Sequence, residues 1–221
     1  MRFTGTYDQD QLLDESLPIT WRHINKLAGC GALGDLGSHL LSISQFIMGD
    51  ITKVNAVATT VFPKRPKSAG STEMVDVENE DIMTFMAEYA NGAIGQIACS
   101  RVATGRKNYL TYEIQGTKGS VRYDLERMGE VQVYFQSDNE RDRGFRTVLL
   151  NPLMKGYSAF QPAGGISIAY NDMKILEVHA LFDAITNGAD YVTDFEFGYK
   201  IDRTVAAVIE SSKTHEWVDV K

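Results

Sequence analysis

The run Gly29-Cys30-Gly31-Ala32-Leu33-Gly34-Asp35-Leu36-Gly37-Ser38-His39 holds the residues best suited to do chemistry. Glycines open into a helical stretch that carries Asp35 and His39 four residues apart. On a helix that spacing stacks both side chains on one face. A carboxylate beside an imidazole is a natural unit for moving a proton near neutral pH. The same run spells Gly-x-Gly-x-x-Gly, the nominal fingerprint of a dinucleotide site. Such a site also needs an apolar strand ending at the first glycine, and an acidic residue at the end of a second parallel strand. Here the glycines follow Arg22-His23-Ile24-Asn25-Lys26-Leu27-Ala28, which is no buried strand. We read the glycines as a tight turn into the helix.

Other chemistries lack their residues. His23, His39, His179 and His215 are scattered, with no His-x-His or His-Glu-x-x-His spacing, so no catalytic zinc site is expected. There is no Gly-x-Ser-x-Gly elbow and no phosphate-binding loop ending in Gly-Lys-Ser/Thr. Cys30 and Cys99 form no Cys-x-x-Cys pair and read as free thiols of a reducing cytoplasm. A net charge of −7 argues against nucleic-acid or acidic-membrane partners. No apolar run approaches a membrane span, and Met1 to Gln11 has no apolar signal core.

Several elements must position the Asp35/His39 pair. Leu36, Leu40, Ile43 and Ile47 form one apolar stripe, predicting a helix from about Asp35 to Met48 that stops at Gly49. Asp35, His39 and Ser42 form a polar stripe beside it. Arg2 to Tyr7 reads as a short strand, and Leu12 to Ile24 as irregular chain with Trp21 in the core. Strands follow at Thr52 to Phe62, Met83 to Tyr89, Ala93 to Val102 and Leu110 to Ile114. More are expected at Val121 to Leu125, Val131 to Phe135 and Phe145 to Leu150. Asn91-Gly92 is a strong hairpin signal, and short turns between strands imply an antiparallel meander. Arg101 reads as a strand-end ion-pair partner. Pro63 to Glu73 and Asp138 to Gly144 read as solvated loops.

Helices are predicted over Tyr170 to Asn187 and Phe195 to Ser212, the second capped by Thr193 or Asp194, with an edge strand at Trp217 to Val220. The expected class is α+β: a large, mostly antiparallel sheet with helices on one face, forming a single domain over 1–221. If the other sheet face is apolar, a partner subunit should cover it.

The segment Gly31 to His39 resembles the C-terminal domain of the glucose–fructose oxidoreductase/inositol dehydrogenase (Gfo/Idh/MocA) family. Gly5 to Asp10, Trp21-Arg22, Asn91 to Gly95 with Ser100-Arg101, and Glu113 to Ser120 fit the same pattern. The resemblance implies an NAD(P)-dependent oxidoreductase of sugars or polyols. NAD or NADP would sit in an N-terminal Rossmann domain, absent from this chain, that also supplies a lysine. The open sheet face would make a homodimer or homotetramer. By resemblance His39 touches the reacting hydroxyl and shuttles its proton, while Asp35 orients the imidazole or binds a neighbouring hydroxyl. Tyr7, Gln9 and Arg22 are the substrate-binding candidates. Ser42 departs from relatives that carry an acid at that place. Met1 sits almost at the first strand, so the chain is expected to be one half of a longer protein. The competing reading is a non-catalytic module that binds a small molecule or assembles a complex.

Overall fold

A computed structural model describes residues 1–154 and 156–221. The chain opens with β1 (Arg2–Asp8), a 3-10 turn at Trp21–His23 and the short helix α1 (Asn25–Ala28). A π-helical turn at Leu33–Gly37 then runs into α2 (Ser38–Met48). Strands β2 (Ile51–Thr59), β3 (Lys64–Pro66), β4 (Met74–Asp76), β5 (Ile82–Tyr89) and β6 (Ile94–Ser100) follow. After them come β7 (Tyr109–Gln115), β8 (Gly119–Asp124), β9 (Glu130–Phe135) and β10 (Arg146–Leu149). The chain closes with α3 (Tyr170–Asn187), α4 (Phe195–Thr214) and β11 (Val218–Asp219).

Nine strands form one sheet in the order β10-β9-β8-β7-β1-β6-β5-β2-β11. All pairings are antiparallel except β1 with β6, which is parallel. The α+β class is therefore as expected, but the sheet is not a simple meander. β1 is inserted between β6 and β7, with Arg2 opposite both Ile94 and Gln115.

Alternation decides which sheet face is covered. Met83, Phe85, Ala87 and Tyr89 of β5 point to one face and are buried, with Phe3 and Tyr7 of β1, Val54 and Ala56 of β2, and Ile97 and Cys99 of β6. Leu36, Leu40 and Leu41 pack on them from the π turn and α2, with Ile201, Ala207 and Val208 from α4. Truncating one such aromatic, as in Phe85→Ala, costs about 3–5 kcal/mol in a core of this kind. α2 comes so close to β1 at Gly5 that a Cβ there would lie 3.1 Å from Leu40. The opposite face presents Thr84, Met86, Val57 and Ile94 to solvent.

Two local expectations are corrected. The stretch from Pro63 to Glu73 is not simply a solvated loop: its β3 pairs with β4, and Arg65 within it is fully buried. Arg65 donates to the carbonyls of Leu12 and Asp14, which pins the irregular N-terminal segment. Trp21 is not in the core but 54% exposed, stacked under the Arg22 guanidinium at 4.6 Å. His23 is fully buried, its Nδ1 accepting from the Thr20 N–H at 3.0 Å. Arg101 is a buried ion-pair partner as expected, 3.1 Å from Asp81.

α3 behaves differently from α2 and α4. None of its residues is buried, although Ile175, Val178, Leu181, Phe182 and Ile185 are apolar.

Candidate active site

The glycine turn is held by a carboxylate of this chain. Glu80, just before β5, accepts from the Gly31 N–H at 2.9 Å and from the Leu33 N–H at 2.9 Å. Its backbone carbonyl accepts from Ala32 N–H at 3.0 Å. These N–H groups begin the helical run, where an anion is favoured. The place a cofactor phosphate would take is filled by Glu80. A Cβ on Gly31 would lie 1.9 Å from the Glu80 carbonyl oxygen, which explains the glycine by close approach. The residues present do not fit a dinucleotide here.

Past that turn the chain winds as a π turn, which carries Asp35, before tightening into α2 with His39 in its first turn. Single π turns of this kind often sit at functional sites. Asp35 Oδ2 lies 3.4 Å from Arg22 Nε. The alignment is too skewed for a hydrogen bond, and that oxygen is buried with no donor among the described residues. It is an acceptor held near a cation and free to take a proton donor.

His39 is exposed, with the Tyr7 ring edge-on at 5.8 Å. Partial desolvation by the surrounding protein pushes its imidazole below the usual value, Asp35 pulls it back up, and Lys174 of α3 pushes it down. The result favours neutral imidazole, the form able to accept a proton. Tyr7 is pushed upward, mainly by burial, so its phenol stays protonated. Its O–H donates to Asn108 Oδ1 at 2.7 Å, and Gln9 Nε2 donates to the same oxygen at 2.7 Å. Asn108 therefore fixes both side chains. Glu126 holds its loop in turn, accepting from the N–H groups of Lys107 and Asn108.

His39 opens on a depression of about 440 Å³ shared with Ser38, Ser42, Phe195, Tyr199 and Asp202. A larger concavity of about 550 Å³ includes Thr4, Gln96, Glu113 and Arg122 but none of the candidate residues. Among the described residues no cluster of three or more His, Cys, Asp or Glu side chains could hold a metal, and no helix is long and apolar enough to cross a membrane.

The five candidates thus form two groups: Asp35 with Arg22 and His39, and Tyr7 with Gln9. The edge-on contact of Tyr7 with His39 joins them. Sequence reasoning missed Asn108, Glu80 and Lys174. Asn108 lies in a loop with no periodic signal. Glu80 could have been suspected as an acid beside an apolar strand, but nothing in the sequence ties it to Gly31. Lys174 was placed on a helix without a reason to face His39.

The model of the GFO/IDH/MocA C-terminal domain matches residues 1–122. The chain belongs to the Gfo/Idh/MocA family.

Some relatives align along the whole chain and others along part of it. A levoglucosan dehydrogenase of Pseudarthrobacter phenanthrenivorans is 38% identical, over 100% of this chain and 59% of that protein. A D-apiose dehydrogenase of Rhizobium rhizogenes is 30% identical over 43% of this chain and 26% of its own length. Among solved structures, a levoglucosan dehydrogenase in complex with NADH and levoglucosan superposes with a TM-score of 0.94. It is 38% identical, covering 100% of this chain and 58% of that one. An NAD binding oxidoreductase from Klebsiella pneumoniae gives a TM-score of 0.94 at 39% identity, covering 100% of this chain and 59% of that one. This Gfo/Idh/MocA chain thus spans under two thirds of the length of the levoglucosan dehydrogenase.

Proposed function

We propose that this chain is the substrate-binding half, bearing the catalytic residues, of an NAD(P)-dependent sugar or polyol dehydrogenase. The observation that carries this reading is the Asp35/His39 pair beside an open depression, backed by Arg22 and flanked by Tyr7. Relatives named as dehydrogenases of levoglucosan and D-apiose support a sugar as substrate.

In this reading a substrate hydroxyl sits against neutral His39, which takes its proton. Asp35 stabilises the imidazolium that forms, as its upward pull on His39 requires. Tyr7 and Gln9, fixed by Asn108, and Arg22 bind the remaining hydroxyls. NAD(P) would accept the hydride and would be held by a Rossmann domain rather than by the glycine turn, which Glu80 fills. The open sheet face joins copies of the protein into a homodimer or homotetramer. Cys30 and Cys99 are free, and burial pushes the Cys30 thiol up to about 11, so neither demands an oxidising compartment. That fits the cytoplasm.

A calorimetric titration with NADH and NADPH tests the assignment. This chain should bind neither, and the protein joined to its cofactor domain should bind one and oxidise levoglucosan or another sugar. Saturable binding by this chain alone would overturn the division of labour. The filled cradle also favours a second reading, a non-catalytic binding or assembly module. That reading requires turnover by the two-domain protein to be absent or to survive His39→Ala.

A further inference from the structure

Arg22 lies in irregular chain, yet its carbonyl oxygen is gripped by two buried side chains from elsewhere. Asn79 Nδ2 donates to it at 2.9 Å and Arg101 Nη1 at 3.4 Å. Both donors are themselves fixed. Asn79 is 1% exposed, and its Oδ1 accepts from Asn25 Nδ2 at 3.1 Å. Arg101 is fully buried against Asp81, whose other oxygen accepts from the Val61 and Phe62 N–H groups. The next residue along from Asn79 is Glu80, which holds the turn leading to Asp35. One short segment therefore sets both ends of the Arg22–Asp35 contact.

We infer that Asn79 is a positioning residue: it fixes the Arg22 backbone so that the guanidinium stays at Asp35 and tempers the pull of that carboxylate on His39. The inference rests on His39 being the proton-handling group of the proposed site. Its readout is a titration rather than turnover, so it can fail or stand apart from the dehydrogenase assignment.

The groups facing His39 are Asp35 on its own helical run, Tyr7 of β1 and Lys174 of α3. Tyr199 and Asp202 of α4 face it across the depression. Of these, Asp35 is the one paired with Arg22. If the guanidinium drifts away, Asp35 acts on the imidazole with less compensation and the imidazolium is favoured. The His39 pKa must then rise.

The test is an NMR titration of the imidazole signals in the 221-residue chain, with His39 assigned by loss of its signal in His39→Asn. Arg22→Ala should raise the His39 pKa by roughly half a unit. Asn79→Ala should raise it in the same direction, and should add nothing in the Arg22→Ala background. His179 and His215 should not move. An unmoved His39 in folded Asn79→Ala, or an equal shift with and without Arg22, would overturn the inference. If Asn79→Ala does not fold, Asn25→Ala replaces it. Asn25 is exposed, and its loss frees the Asn79 amide to turn without opening a cavity. A smaller upward shift that needs Arg22 supports the inference, and no shift overturns it.

Discussion

The His39 imidazole, between a carboxylate and a lysine, is tuned by each neighbour, and each can be removed singly. In the proposed two-domain dehydrogenase, His39→Ala should lower kcat by about 10²- to 10⁴-fold, the usual worth of a positioned base, with the thermal midpoint nearly unchanged. Asp35→Asn should move the acidic limb of the kcat/KM profile to lower pH, because Asp35 raises the His39 pKa and its charge is lost. A limb that stayed in place would mean that another group titrates. Asn108→Ala frees Tyr7 and Gln9 together, so KM should rise several-fold while kcat falls less. The glycine-to-helix segment pointed to Asp35 and His39, and the stretches Gly5 to Asp10 and Trp21-Arg22 pointed by resemblance to Tyr7, Gln9 and Arg22. Asn108 and Asn79 were not, because each acts through long-range hydrogen bonds that leave no periodic trace in the sequence.

The turn ahead of α2 shows how a fingerprint can arise without its ligand. Glycine is needed at position 31 because Glu80 presses on it, and the amides are oriented because a carboxylate sits among them. Glu80→Ala should destabilise the chain by about 1–3 kcal/mol, the cost of leaving buried N–H groups unpaired, as read from the urea midpoint. Gly31→Ala should cost more, since backbone must move. Strand reading succeeded where one face is buried: Met83, Phe85, Ala87 and Tyr89 announce β5 by alternation alone. It failed where partners are distant. Nothing in Arg2–Asp8 says that its neighbours are β6 and β7. Arg65 misled because a basic, proline-flanked stretch resembles a solvated loop, while three backbone carbonyls of the N-terminal segment make burial of its guanidinium tolerable.

Across the whole molecule, two histidines couple folding to pH. Burial holds His23, and partial desolvation His39, below the usual imidazole value, and His23 is pushed further down by Arg101 and Arg65. The unfolded chain therefore binds protons first, so stability is complete above about pH 6.5 and declines as pH falls toward the folded values. His23 protonation also removes the Nδ1 acceptor that serves Thr20. Denaturant midpoints measured between pH 7.5 and 5.5 should fall, and should fall less in His23→Gln; equal slopes would clear His23 of any part. The inserted first strand has a consequence in time. β1 leaves the ribosome before either neighbour exists, and it must wait for β6 and then β7. Without β1 the sheet is two separate arrays, β6-β5-β2-β11 and β7-β8-β9-β10, each with a bare edge. Refolding should be slow for a chain of this size, because closure depends on contacts far apart in sequence. Nascent chains halted before Gln115 should expose β1 to proteases and to pairing with the wrong partner.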